Sequence, residues 1–409
     1  MGWVSSTALA RPGPPLTVTR LAWLDALRGI GALAVLFEHL LPWFMPQLRP
    51  YWFNLGMYGV LVFFLVSGYI IPVSLEGRGD VRAFWVSRIF RLYPIYLLVV
   101  VFVLVTAVWM PVREHVPRDL ASVSAHLTML LDVVHLGGLA DTMWTLSYEM
   151  VFYLLVTALF VHGLHRRSGT FAVGFGAAAV GVGLVLTAPV LTGFWPAYVS
   201  GAVFVAGMAC LLSGRFRTVA ASALGLMAVT LLLSSFTPWF AAAILAVMFT
   251  GTAIRRWEQG TGSLWPVAAA AALVALAPVW ADQARWWWVQ PDVWITTMVL
   301  AGATFALAMA LRERRLPRFL VWLGLISYSL YLLHHPLLRL TYAVLYSALG
   351  DLRVLPVPVQ AALTAGFIAA ILGLSWLTYR YVELPAQRFG RILAHRVAPA
   401  GEAPVKERV

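Results

Sequence analysis

The sequence predicts an all-α, polytopic membrane helix bundle of about 10–12 transmembrane helices with both termini cytoplasmic. Three observations predict it. The chain of 409 residues is 61% hydrophobic and 11% charged. Apolar runs of about 17–25 residues recur along it, each able to cross a hydrocarbon core of about 30 Å. With the N-terminus placed inside, only Arg49, Arg113, Arg118, Arg285, Arg339 and Arg353 of the 29 basic residues fall outside, which is the bias that orients membrane proteins. The same distribution removes nucleic acid as the partner of a chain of net charge +12, because the charge sits in short loops between spans.

Residues 1–20 lack the apolar core of a signal peptide and read as a disordered cytoplasmic tail. Residues 386–409 read likewise as a cytoplasmic tail, which leaves 21–385 as the membrane domain. Twelve spans lie near 21–41, 56–75, 94–110, 144–163, 170–189, 195–213, 219–235, 238–254, 264–281, 293–311, 319–348 and 355–382. Many of the tryptophans fall at outer helix ends, as an interfacial belt requires. The Trp286–Trp288 run in a polar outer loop has a second reading, as stacking faces for a sugar. The single cysteine, Cys210, excludes a disulfide within the chain.

The first span carries Asp25, Arg28 and His39. Ionisable groups are costly in lipid and are normally turned inward, paired and functional. Arg28 and His39 are 11 residues apart, so they share a helix face at a separation of roughly 16 Å. The second span holds Ser67, Gly68 and Tyr69, and its small pair lets helices approach closely. Arg88 and Arg91 precede a helix expected to start at Pro94. They read either as topological charge or as a bidentate anion clamp. Span four opens at Trp144 and places Glu149 roughly 7 Å below the outer interface, where a carboxylate needs a partner.

Span eleven contains Ser327, Tyr328, Tyr331, His334 and Pro336. Counted from Trp322, His334 lies roughly 18 Å up the helix, and Pro336 is expected to kink it and free carbonyls. Glu383 closes span twelve at the inner face, with Arg380 or a loop arginine as its expected partner. By depth, His39, Glu149 and His334 fall in the middle-to-outer third, and Arg28, Arg88, Arg91 and Glu383 at the inner side. This layout suits an enzyme that takes a phosphate-bearing donor from the cytoplasm and an acceptor from above. A proton-coupled transporter of a glycolipid or small molecule is the alternative. Such transporters are commonly built from internal repeats, and no repeat is visible: spans five to ten are almost purely apolar.

Taken together, these segments resemble the integral membrane acyltransferase family 3, bacterial O-acyltransferases that act on carbohydrates and related acceptors. The resemblance runs from Leu24 to Pro385. It rests on Leu24-Asp25-x-Leu27-Arg28-Gly29 with His39, Phe63-Phe64-Leu65-Val66-Ser67-Gly68-Tyr69, Arg88-x-x-Arg91, Trp144-Thr145-Leu146-x-x-Glu149-x-x-Phe152-Tyr153, Ser327-Tyr328-x-x-Tyr331-Leu332-x-His334 and Glu383-x-Pro385. It implies acyl-CoA as donor and transfer of a short acyl group, such as acetyl, to a hydroxyl of a carbohydrate, glycolipid or glycosylated metabolite. It further implies a multi-pass protein of the inner plasma membrane with no metal. On this reading Arg28, Arg88 and Arg91 hold the acyl-CoA. His39 is the general base or, alternatively, carries the acyl group transiently, Glu149 orients the imidazole or the acceptor, and His334, Tyr328 or groups near Pro336 meet the oxyanion. Asp25, Ser67, Tyr69, Trp144, Tyr328, Tyr331 and Glu383 support the site. Two departures stand out. Relatives have about ten spans, and no soluble esterase-like domain follows the last span, so transfer is expected to finish in the membrane or to pass to a separate protein.

Overall fold

The computed structural model describes residues 21–110, 119–186, 188–280 and 286–397. The tails 1–20 and 398–409, and Arg113, Arg118 and Arg285, lie outside the described residues. Among those described, every regular element is a helix. In chain order they are α1 (Ala22–Phe44), α2 (Leu55–Arg78), α3 (Val81–Thr106), α4 (Leu120–Thr128), α5 (Trp144–Val161), α6 (Ser168–Val185) and α7 (Trp195–Ser213). Then come α8 (Arg217–Leu231), α9 (Pro238–Glu258), α10 (Trp265–Leu276), α11 (Pro291–Ala310), α12 (Arg318–Leu349), α13 (Val357–Thr378) and α14 (Leu384–Val397).

A helix stands at each of the twelve predicted spans. Among the described residues, ten helical stretches are long and apolar enough to cross a membrane. Of the other two, α1 carries Asp25, Arg28 and Glu38 within its length, and α10 has only 12 residues. The outward faces are greasy, as lipid solvent demands: Leu97, Val101 and Val105 of α3 and Val299 and Leu307 of α11 are exposed. The inner layer is α1, α2, α5, α9 and α12, with α9 the most enclosed.

Three boundaries differ from the sequence reading. Helix α3 starts at Val81, not at Pro94. Gly79 ends α2 at φ 64°, and the Asp80 side chain accepts from the backbone N–H groups of Arg82 (2.6 Å) and Ala83 (3.0 Å). That cap starts a helix that runs through Pro94, so Arg88 and Arg91 lie inside it rather than in a loop. Residues 386–397, read as tail, are helical and belong to α14. A five-residue π-helix, Tyr379–Glu383, joins α13 to α14, and α14 packs back on α3, with Gly390 against Phe90. The short α4 (Leu120–Thr128) was not predicted at all.

Glycines set the crossing that positions the site. At the α1–α12 contact, a Cβ on Gly29 would sit 2.7 Å from the Leu320 carbonyl oxygen, and one on Gly324 would overlap the Asp25 carbonyl. Gly68 meets the Met248 backbone in the same way at the α2–α9 crossing, the close approach expected beside Ser67. Gly324→Ala should therefore force α1 and α12 apart and destabilise the protein by about 1–3 kcal/mol or more. Thermal unfolding in detergent reads this as a lowered Tm. A wild-type Tm would refute so tight a crossing.

Candidate active site

A cavity of about 630 Å³ opens at the end of the bundle where α1 finishes and α2, α5 and α9 begin. Its walls include Trp43, Trp144, Tyr148, Phe240 and Trp286–Trp288, and among its polar lining groups are Glu38, His39, Arg49, Asp132 and Asp141. Trp286 and Trp288 stack at 5.2 Å with rings 10° from parallel, and the Arg49 guanidinium lies 5.0 Å from the Trp287 ring. The Trp286–Trp288 run therefore forms part of a cavity wall.

His39 is held from α1 and α12 together. Its Nδ1 lies 3.0 Å from the Val35 carbonyl and 3.1 Å from His334 Nε2. His334, fully buried, has its own Nδ1 2.9 Å from the Leu330 carbonyl. A carbonyl only accepts, so His334 Nδ1 carries the proton and its Nε2 is an acceptor. His39 must then donate from Nδ1, which leaves its Nε2 lone pair for the cavity. The i−4 carbonyls Val35 and Leu330 fix both rings against their own helices. His335 also neighbours His39, with ring centroids 5.2 Å apart, and its Nε2 lies 3.0 Å from Asp141 Oδ2. Among the described residues no three His, Cys, Asp or Glu side chains converge as a metal site.

The other predicted residues gather deeper in the bundle. Arg28 Nη1 donates to Asp25 Oδ1 at 3.4 Å. Buried Arg88 donates to Ser74 Oγ at 3.0 Å and lies 5.1 Å and 5.5 Å from the Phe84 and Tyr153 rings. Arg28, Arg88 and Arg91 are electrostatic neighbours of one another and of Glu149. Glu383 faces Arg91 electrostatically and accepts from Ser329 Oγ and Gln387 Nε2, each at 2.9 Å, whereas Arg380 is exposed. So the three arginines meet, as the spacing suggested, amid Asp25, Glu149 and Glu383.

Glu149 departs from expectation. It accepts from Tyr153 and sits with the arginines, whereas the electrostatic neighbours of His39 are His335, Asp141 and Arg49. The cause is azimuth. Helix α5 turns Trp144 and Tyr148 to the cavity, and the next residue points about 100° away. Tyr331 connects the two zones: it lines the cavity, its hydroxyl lies 2.8 Å from Thr145 Oγ1, and Glu149 is its electrostatic neighbour.

The expected oxyanion donors are otherwise engaged. Both His334 nitrogens are committed, Tyr328 donates to the Leu92 carbonyl at 3.0 Å, and a proline frees a carbonyl, which accepts and cannot donate. Helix α12 itself continues through Pro336. Tyr69 belongs to a separate network, donating to Glu258 and accepting from Arg255 at 3.0 Å. Sequence reasoning passed over Glu38, which pairs with Arg49 and accepts from Asn54 Nδ2 at 3.3 Å. Its signal was plain: a fourth ionisable group in the first span, beside His39. It also passed over Asp141 and His335, whose pairing only the fold reveals.

The model of the acyltransferase 3 family, described as an acyltransferase domain, matches residues 21–380. Acyltransferase MdmB of Streptomyces mycarofaciens is 26% identical over 95% of this chain and 96% of its own length. A putative peptidoglycan O-acetyltransferase, YrhL of Bacillus subtilis, is 31% identical over 35% of this chain and 24% of its own. A putative acetyltransferase of Acidianus two-tailed virus, ORF330, is 29% identical over 35% and 40%. No solved structure matches. With a match that spans nearly the whole chain and an all-helical fold of multi-pass type, the chain belongs to the acyltransferase 3 family of membrane acyltransferases.

Proposed function

We propose that this enzyme transfers a short acyl group, such as acetyl, from acyl-CoA to a hydroxyl of a carbohydrate, glycolipid or glycosylated metabolite. The observation that carries this reading is the hydrogen-bonded series Leu330 carbonyl–His334–His39 at the wall of an aromatic cavity, which supports His39 Nε2 as the base. On this reading the arginine end faces the cytoplasm, the cavity faces outward, and the protein lies in the inner plasma membrane.

The arginine cluster fits an anionic, phosphate-bearing donor. Each guanidinium has five N–H donors, few are engaged, and Arg88 Nε is buried without a partner. Bound there, the donor supplies an activated acyl thioester. Arg28, Arg88 and Arg91 hold its phosphates by charge-assisted hydrogen bonds, with Asp25, Glu149 and Glu383 keeping the guanidiniums in place. His39 Nε2 takes the acceptor hydroxyl's proton as the oxygen attacks. The Thr142 hydroxyl belongs to a residue that lines the cavity and has no hydrogen-bond partner, which makes it a candidate donor to a developing oxyanion.

Mass spectrometry of surface glycans and exported metabolites, with and without this protein, tests the reading. An acyl mass increment that depends on the protein supports it, and identical spectra oppose it. The same chain makes His334 a positioning residue. His334→Gln keeps an acceptor for His39 Nδ1–H and should retain at least about a tenth of wild-type kcat, whereas His334→Leu should lose about 100-fold. The split should appear in kcat and not in donor KM. Equal activity in the two variants would remove this role.

A further inference from the structure

We propose that the acceptor carries a cationic amine, held by Asp132 within the aromatic wall of the cavity. The inference rests on the acceptor site proposed above and names the chemistry that site selects.

Asp132 lines the cavity from the segment between α4 and α5. Its carboxylate accepts from the Tyr148 hydroxyl, and its backbone N–H donates to Ser147 Oγ at 3.0 Å. Among the described residues, no Lys, Arg or His pairs with it. The other carboxylates of this cavity are compensated: Glu38 by Arg49, and Asp141 by His335 and Arg339. Burial raises the Asp132 carboxyl to about 6, against the lowering by the Tyr148 hydrogen bond, so it is still charged at neutral pH.

The rings around it form one connected surface. Trp286 stacks on Trp288, Trp288 meets Phe240 edge-on at 5.6 Å, Phe240 lies 5.8 Å from Trp144, and Trp144 meets Tyr148 at 5.8 Å. Tyr148 closes the series with its hydroxyl on Asp132. An aromatic wall that ends in a carboxylate with no cation paired to it among the described residues is an arrangement that takes an alkylammonium group, through ring quadrupoles and one ion pair. The amine is recognised here and not acylated, because the base that would receive the reacting proton is His39, on α1.

The test uses the whole protein in zwitterionic lipid nanodiscs, with empty nanodiscs subtracted. Equilibrium dialysis compares 2-phenylethylamine with 2-phenylethanol, which differ only in an ammonium against a hydroxyl. Wild type should bind the amine at least tenfold more tightly, and Asp132→Asn should bring the two within about twofold. Trp288→Leu should weaken amine binding severalfold. Equal binding of both probes by wild type, which needs no variant to fold, overturns the proposal. So does an unchanged amine preference in Asp132→Asn. Neither arm uses an acyl donor, so the outcomes separate. Amine preference without acyl transfer removes the catalytic reading alone, and transfer without amine preference removes this inference alone.

Discussion

Replacing His39 by Gln should cut acyl transfer by about 10²–10⁴-fold while leaving acyl-CoA binding within a factor of about two. Gln can still donate towards His334 Nε2 and the Val35 carbonyl, so the α1–α12 contact survives. What it lacks is a basic lone pair at the position of Nε2. Donor binding is spared because the arginine cluster lies deeper, with Arg28 11 residues back along α1 from His39, a rise of roughly 16 Å. His39→Ala should be equally inactive, since it removes the base and leaves the half-buried pocket open. Rates with purified protein, alongside donor titration, check both. Substantial turnover by either variant would remove His39 as the base.

Arg88→Lys combined with Arg91→Lys should weaken acyl-CoA binding by tenfold or more. A hydrogen bond to a charged group contributes about 1.5–3 kcal/mol, and an ammonium cannot reproduce the bidentate fork. The Lys pair is the informative variant because of what surrounds these side chains. Arg88 is buried between Phe84, Tyr153 and Ser74, and Glu149 and Glu383 lie close to Arg91. A double Ala replacement should bind donor more weakly still, but it also removes cations from beside Glu149 and Glu383 inside the bundle, which is itself destabilising. If the arginines served only topology, Lys would restore function fully, because insertion counts charge and not shape. Wild-type affinity in the Lys pair would sink the clamp.

The helices were legible because a bilayer leaves the backbone little choice: apolar length translates almost directly into a span. Where local chemistry competed, the reading failed. The proline at 94 and two arginines hid the true start of α3, which the Asp80 cap decides. The charges Arg388, Arg391 and Arg396 made α14 look like a tail, although Ala394 packs with Ala83 and Val86 of α3. At the site, depth could be counted from the sequence, and it correctly brought His39 near His334 and gathered Arg28, Arg88 and Arg91. Direction around a helix axis could not be counted in the same way. Glu149 was counted into the middle-to-outer third with His39, whereas its side chain joins Tyr153 and the arginines deeper in the bundle, because the face of α5 it occupies and the reach of the side chains around it decide its neighbours as much as its position along the axis. Asp141 and His335 are distant in sequence and carry no shared motif, so their pairing depends on the fold.

The two linked imidazoles end on a backbone carbonyl, Leu330, and that terminus has a consequence for energetics. A peptide oxygen cannot pass a proton onward, so the chain from His39 through His334 is closed. In the proposed reaction, whatever His39 Nε2 receives from the acceptor must depart by the same nitrogen, within the same turnover, to the group that leaves the acyl carbon. No ionisable relay continues along these bonds towards the far leaflet. On the proposed mechanism this pair of bonds therefore gives the proton-motive force no path into the step.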